Sequence, residues 1–307
     1  MRVIVVGLGI QGHKRRAVAD SDVVAVVDPF HAEADFKSVM EVPLSSFDAA
    51  LVCTPDEAKG TVLEHLLSNG KHVLVEKPLL NDDTASLKSL GELAAKHKVT
   101  CYTAYNHRFE PHFVRMKDAI ESGILGNIYS VRMFYGNGTA RLVRESAWRD
   151  QGAGVLPDLG SHLLDTILFW IGQPKTPFKV ISAHCFENRT FDHFCFGSNG
   201  EIRVELEMTL LSWRNHFTAD VFAEKGSAHI ESLCKWGPST FTIRDRKIPS
   251  GRPDENTTTL VQPDPTWKLE YEHFKQLCLT GAGNIDNDIW IDSILREMTD
   301  QSLKEFG

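Results

Sequence analysis

Three glycines, Gly7, Gly9 and Gly12, follow a short β-branched run from Arg2 to Val6 in the spacing G-x-G-x-x-G, with Ile10 and Gln11 between the second and third. That spacing has a specific chemistry. The first glycine makes a tight turn, the second lets backbone approach a pyrophosphate, and the third lets helix pack on strand, while the helix N-terminus offers unpaired N–H groups and positive potential. Asp28 ends a second apolar run, Val23 to Val27, where a carboxylate can accept hydrogen bonds from both hydroxyls of a ribose. Strand, glycine turn, helix and acid together point to dinucleotide binding. A carboxylate at that place repels the extra phosphate of NADP, so NAD is the expected cofactor. The run Lys14-Arg15-Arg16 keeps NADP open, reading either as a solvated helix face or as cations that neutralise a cofactor phosphate.

Glu76-Lys77-Pro78 directly follows the apolar run His72 to Val75, which puts an amine and a carboxylate at the carboxyl end of a strand, the edge at which parallel sheets bind ligands. Asp158 and His162 stand four apart in an apolar segment from about Val155 to Ile171, a spacing that predicts one helix face, extended by Asp165 and Phe169. A carboxylate one turn from an imidazole stabilises its charged form and biases its orientation. Hydride exchange between an alcohol carbon and nicotinamide also requires moving the hydroxyl proton, so it needs an acid/base group and a donor for developing oxygen charge. Lys77, Asp158 and His162 suit those tasks. The competing reading of the last two is a helix N-terminal acid and a satisfied buried histidine. Which of Lys77 and His162 handles the proton is not decided by sequence.

The elements that must carry these groups fall into two patterns. Strand-like runs at Val23 to Val27, Ala49 to Cys53, Val73 to Val75 and Val99 to Thr103 alternate with helical stretches at Asp56 to about Ser68 and Thr84 to His97, which predicts a parallel sheet and an α/β dinucleotide-binding domain over 1–105. From about Ile128 the runs Tyr129 to Tyr135, Phe178 to Phe186, Asp192 to Phe196, Ile202 to Leu211, Phe217 to Glu224 and Ala228 to Ser232 follow one another through short polar turns. They predict a second α/β domain, 106–307, with an open, mostly antiparallel sheet and a single interrupting helix at about 155–171. Lys247 to Pro265 reads as loop and edge strand, and Trp267 to Leu279 and Asp288 to Phe306 as closing helices. Net charge of −8 gives no pull toward nucleic acid or anionic membrane. No apolar run approaches a membrane span and no signal peptide opens the chain, so a cytoplasmic protein is expected. The six cysteines show no metal or disulfide spacing and read as reduced thiols, with no metal site expected.

With the glycine turn, Thr54-Pro55 after the third strand and GKHVLVEKPL, the chain resembles the glucose-fructose oxidoreductase, inositol dehydrogenase and MocA (Gfo/Idh/MocA) family. Tyr105-Asn106-His107-Arg108-Phe109 looks like the family's segment joining two domains, and Gly152 to His162 like its glycine-rich lead into an Asp-x-x-x-His helix. The resemblance covers nearly the first 170 residues in register. It implies a Rossmann domain followed by a domain whose sheet forms a homodimer or homotetramer contact. It also implies oxidation or reduction of a secondary alcohol on a sugar, cyclitol or sugar nucleotide. By the same resemblance, Lys77 bonds cofactor and reacting hydroxyl, His162 is the acid/base, Asp158 supports or shares that role, and a cis Lys77–Pro78 bond is expected. Gly7, Gly9, Ile10, Gln11, Gly12, Asp28, Thr54, Pro55, Glu76, Lys77 and Asn106 make up the expected cofactor site. Lys77, Arg108, Trp148, Arg149, Asp158 and His162 make up the expected substrate site.

Several of these assignments have plainer counterparts. Asn106 and Arg108 either reach cofactor or substrate or satisfy the backbone where the chain leaves the sheet, and Trp148 with Arg149 forms either a sugar-binding wall or ordinary packing. His107, His112, Tyr135 and Arg141 are unassigned candidates for the same cleft. Two departures from the family stand out. The link from Asp28 to Asp48 is short, and Lys59 replaces a common histidine, where it either alters cofactor contacts or faces solvent. An open second face of the antiparallel sheet, carrying Phe, Leu, Met and Trp, is expected to need a partner copy. Two functional rivals remain: an enzyme that keeps NAD bound and uses transient oxidation for epimerisation or elimination, and a dinucleotide sensor without turnover.

Overall fold

Apolar runs without polar interruption become strands covered on both faces, and the first third of the chain is built from them. A computed structural model describes residues 1–80, 84–146 and 149–306. Its first elements are β1 (Val3–Val6), α1 (Ile10–Ala19), β2 (Val23–Val27), β3 (Ala49–Val52), α2 (Asp56–Ser68), β4 (His72–Glu76), α3 (Thr84–His97) and β5 (Cys101–Ala104). The strands pair in parallel in the order β2-β1-β3-β4-β5. That order reverses direction between β1 and β3, which creates the crevice where doubly wound sheets take ligands. The Asp28 to Asp48 link holds two 3₁₀ turns, Val39–Glu41 and Leu44–Ser46, and a single bridge from Val27 to Phe36 in place of an α-helix.

The second pattern continues with α4 (Pro111–Glu121), β6 (Ile128–Gly136), α5 (Ala140–Arg144), a π-helical turn at Leu156–Gly160 and α6 (Ser161–Ile171). Seven strands follow: β7 (Lys179–His184), β8 (His193–Asn199), β9 (Arg203–Thr209), β10 (His216–Ala223), β11 (Gly226–Glu231), β12 (Ser239–Asp245) and β13 (Asp254–Leu260). They form one sheet with β6, in the order β13-β12-β11-β10-β6-β9-β8-β7, antiparallel except for the parallel β6–β9 pair. The period of two sends Val131, Met133, Leu206, Met208, Phe217, Val221, Ile230 and Phe241 to a buried face. The opposite face differs from expectation. It presents Arg132, Glu205, Glu207, Asp220 and His229 around an exposed Phe222, joined by an Arg132–Glu205 ion pair (3.3 Å) and a His229–Asp220 hydrogen bond (2.6 Å), so its character is polar and charged rather than apolar. The single predicted helix of this region is also joined by α4 and α5.

The chain ends in α7 (Thr266–Thr280) and α8 (Ile285–Glu305). Contacts divide the molecule into one unit of Met1–Asn106 with Pro265–Ser293, and another of His107–Asp264 with Ile294–Gly307. The continuous second domain expected over 106–307 is therefore interrupted. Tyr271 and Phe274 of α7 pack on Val3, Val5, Leu51 and Leu74, covering one face of the parallel sheet, while α2 and α3 cover the other through Leu63, Leu66, Leu87 and Leu90. All six cysteines are free, with Cys101, Cys195 and Cys234 buried and Cys185 exposed.

Candidate active site

In the first unit, the groups expected to do chemistry sit where strands end. Gly7 leaves β1 with φ of +93°, a conformation costly for any residue with a Cβ, and a Cβ there would lie 2.7 Å from the Cys53 carbonyl at the end of β3. A Cβ at Gly12 would lie 1.9 Å from the Gly7 carbonyl, so α1 can approach the loop this closely only with glycine. Gly9 differs from both: it caps α1 with no side-chain bond, and a Cβ on it would meet nothing within 4 Å. The open side of the loop and the first N–H groups of α1 thus coincide, as an anion would require.

Asp28 is tied into this loop. Its carboxylate accepts the N–H groups of Leu8 (2.7 Å), Phe30 (2.9 Å) and His31 (2.9 Å). Partial burial works against its charge, but those backbone bonds outweigh it and hold the carboxyl below its ordinary range. After β3, the Thr54 hydroxyl is buried without a hydrogen-bond partner among the described residues, and Pro55 caps α2. An uncovered glycine, an ionised carboxylate at the end of β2 and an unanswered hydroxyl at the end of β3 fit a dinucleotide.

Within the basic run, Lys14 and Arg16 are exposed and Arg15 alone fits neither expected reading. Arg15 is 1% exposed, ion-paired with Glu76 (2.6 Å) and Glu270 (2.7 Å), and its guanidinium lies 4.3 Å from the Trp267 ring centroid. Burial opposes its charge, and the two carboxylates more than restore it, raising its pKa. It is neither solvated nor available to a phosphate. Arg16 is exposed and pairs loosely with Glu33 (3.5 Å). One Glu76 oxygen is taken by Arg15, and the Asn106 amide donates to the Thr266 hydroxyl (2.9 Å), so these two expected cofactor residues also serve the unit's own structure. The Lys77–Pro78 bond is cis, and Lys77 is half-buried at the end of β4. Lys59 does not face solvent. It is 2% exposed, and its Nζ donates to the Pro78 carbonyl (2.6 Å) and pairs with Asp56 (2.7 Å).

In the second unit, the lead into α6 needs glycine at Gly152 (φ +62°) and Gly154 (φ +59°), the latter packed against the Phe191 carbonyl. Asp158 falls in the π-helical turn and His162 in the first turn of α6, so the two are not related by one regular α turn as their spacing predicts. His162, 7% exposed, stacks on His107 with ring centroids 4.0 Å apart and planes at 17°; Tyr135 lies 6.1 Å away. Burial, with the charges of Asp158 and Glu110, pushes the Tyr135 phenol up. Buried Glu110, which accepts the Cys234 N–H (3.3 Å), has its own carboxyl pushed up by burial.

Arg108 is committed elsewhere than to an open cleft. It makes a two-pronged bond to Asp165 (2.6–3.1 Å) and lies over the Phe169 ring, bracing the segment after β5 against α6. Burial pushes the Asp165 carboxyl up against the pull of Arg108. Trp148 lies outside the described residues, and Arg149 is half-buried with its N–H on the Ser146 carbonyl. Beside it, Asp150 accepts two N–H groups and a hydroxyl from Arg189 and Thr190, a tie that sequence reasoning missed. His107 and Tyr135 join His162, and the charge of Glu110 acts on Tyr135. His112 does not join them, bonding the Ser239 carbonyl (3.1 Å), and Arg141 is exposed. The signal for His107 was its place beside Asn106 and Arg108. Among the described residues, no group of three His, Cys, Asp or Glu side chains is arranged to hold a metal ion.

Residues 1–105 match the model of an oxidoreductase family with an NAD-binding Rossmann fold, and residues 113–229 match a GFO/IDH/MocA C-terminal domain. The chain is 25% identical over 175 residues to inositol 2-dehydrogenase of Rhizobium meliloti (strain 1021), covering 54% of this chain and 52% of that one. It is 27% identical over 227 residues to D-glucoside 3-dehydrogenase of Escherichia coli (strain K12), covering 66% and 62%. The chain thus spans a little over half the length of these curated relatives. A solved levoglucosan dehydrogenase in complex with NADH superposes with a TM-score of 0.84 at 17% identity over 99% of this chain and 97% of that one, a likeness of fold.

Proposed function

Because the chain belongs to the Gfo/Idh/MocA oxidoreductase family, we propose that it is an NAD-dependent enzyme acting on a secondary alcohol of a sugar, cyclitol or sugar nucleotide. The nicotinamide, when bound, gives or takes the hydride. The loop at Gly7, Gly9 and Gly12 and the first N–H groups of α1 take the pyrophosphate, Asp28 the ribose hydroxyls, and the Thr54 hydroxyl a further polar contact. The ionised Asp28 favours NAD over NADP, since a 2′-phosphate beside it would be repelled. Lys77 donates to the substrate oxygen, and a ring nitrogen of His162 holds and returns the hydroxyl proton. Asp158 supports the charged imidazole from the preceding turn.

The observation that carries this reading is the nearly buried His162, stacked on a second imidazole, in a chain whose other unit bears the glycine loop with its carboxylate. A sensor would need no such proton-transfer group. The test is a panel of sugars, inositols and sugar nucleotides with NAD and NADP, followed at the reduced nicotinamide band. Lys77→Ala and His162→Ala should each remove most turnover and leave cofactor affinity within a few-fold. No turnover on any member, with NAD bound, would favour the sensor, and co-purified cofactor that resists exchange would favour internal redox.

A further inference from the structure

The residues on either side of Lys77 are each held by a buried cation from a different helix. Arg15 of α1 donates to the Glu76 carboxylate at 2.6 Å, and Lys59 of α2 donates to the Pro78 carbonyl at 2.6 Å. Arg15 also completes a network with Glu270 and Trp267, reason enough for it to be there. Lys59 is harder to explain by stability. Burying an ammonium is costly, and a methionine would fill the space without that cost, yet here the charge is spent on one backbone carbonyl, with Asp56 offsetting it.

We propose that Lys59 is a positioning residue: by gripping the Pro78 carbonyl it fixes the backbone from which Lys77 projects at the carboxyl edge of the sheet. This rests on the role given to Lys77 above. Misplacing a reacting group by about 1 Å lowers rates by around 100-fold. The grip therefore acts on turnover more than on cofactor binding.

The experiment compares Lys59→Met, Lys59→Arg and Lys77→Ala in the full chain, with Lys59→Gln as a second uncharged variant should methionine not be tolerated. Lys59→Met should lower kcat about 10- to 100-fold, with the dinucleotide Kd within about three-fold of the parent. Lys59→Arg, which still reaches a carbonyl, should recover most of the loss. Amide hydrogen exchange across residues 77–80 should quicken in Lys59→Met and stay at the parent rate in Lys77→Ala. Parent-like kcat in Lys59→Met, equal impairment of the arginine and methionine variants, or unchanged exchange would each overturn the proposal. Full turnover in Lys77→Ala would instead overturn the role of Lys77 itself, whatever Lys59 does.

Discussion

Two glycine substitutions three residues apart should fail in opposite ways. In Gly12→Ala the new methyl would sit 1.9 Å from the Gly7 carbonyl oxygen, a backbone atom that cannot rotate aside, so α1 must move away from the loop. Alanine in place of a helical glycine gains about 1 kcal/mol, while overpacking against fixed atoms costs about 1–3 kcal/mol or more. So deep an overlap belongs at the top of that range, leaving a net loss near 2 kcal/mol, or a Tm lower by roughly 4–8 °C. In Gly9→Ala the backbone φ of −73° suits any residue and nothing lies within 4 Å, so the loss is confined to the weaker helix cap, about 0.5–1 kcal/mol. The methyl instead occupies the approach to the first N–H groups of α1. Losing one charge-assisted bond to a phosphate, about 1.5–3 kcal/mol, weakens dinucleotide binding roughly 10- to 100-fold. Thermal unfolding of nucleotide-stripped protein and titration with NADH separate the two effects. Equal loss of Tm in both variants, or an unchanged Kd in Gly9→Ala, would refute the assignment of the open side of the loop to the pyrophosphate.

Arg108→Leu should lower stability by about 3 kcal/mol in thermal melts, because it strands the Asp165 carboxylate, 1% exposed, without its partner, and Asp165→Asn in the same background should recover part of the loss. Asp28 has a carboxyl held below its ordinary range, so its contribution to stability is full above the unfolded value near 3.8 and is lost as pH falls through the lower folded one. The Tm gap between the parent and Asp28→Asn should therefore be constant from pH 6 to 8 and close on acidification below about pH 4; a gap independent of pH would contradict it. If the charged face of the second sheet forms the homodimer or homotetramer contact that the family resemblance implies, the sedimentation coefficient should exceed the monomer's at micromolar protein and fall with salt, and a monomer at low salt would refute it.

The parallel sheet was legible because strands such as Val3–Val6 and Ala49–Val52 are uninterrupted apolar runs, and a run that short between turn signals has little else to become. β12 escaped notice although Phe241 and Ile243 alternate with threonines, since threonine blurs a two-residue period. The return of α7 to the first unit could not be read at all: its period announces a buried stripe at Tyr271 and Phe274 but not which core receives it. Arg15 looked like one of three surface cations because its partner Glu270 lies far along the chain. At the site, residue types and strand ends placed Asp28, Thr54 and Lys77, whereas the π turn at Leu156–Gly160 broke the simple helical spacing of Asp158 and His162.

That late return of α7 bears on how the molecule is made. While a ribosome extends the chain from Asn106 to Pro265, the side of the parallel sheet bearing Val3, Val5, Leu51 and Leu74 has no Tyr271 or Phe274 to shield it. At about 5–20 residues per second that face, with Ala19 and Val18 of α1 packed on it, stays partly uncovered for on the order of ten seconds or more. A stalled or truncated product ending before Thr266 would carry that greasy surface permanently, making it a natural client for chaperones and a poor candidate for excision as a minimal nucleotide-binding module.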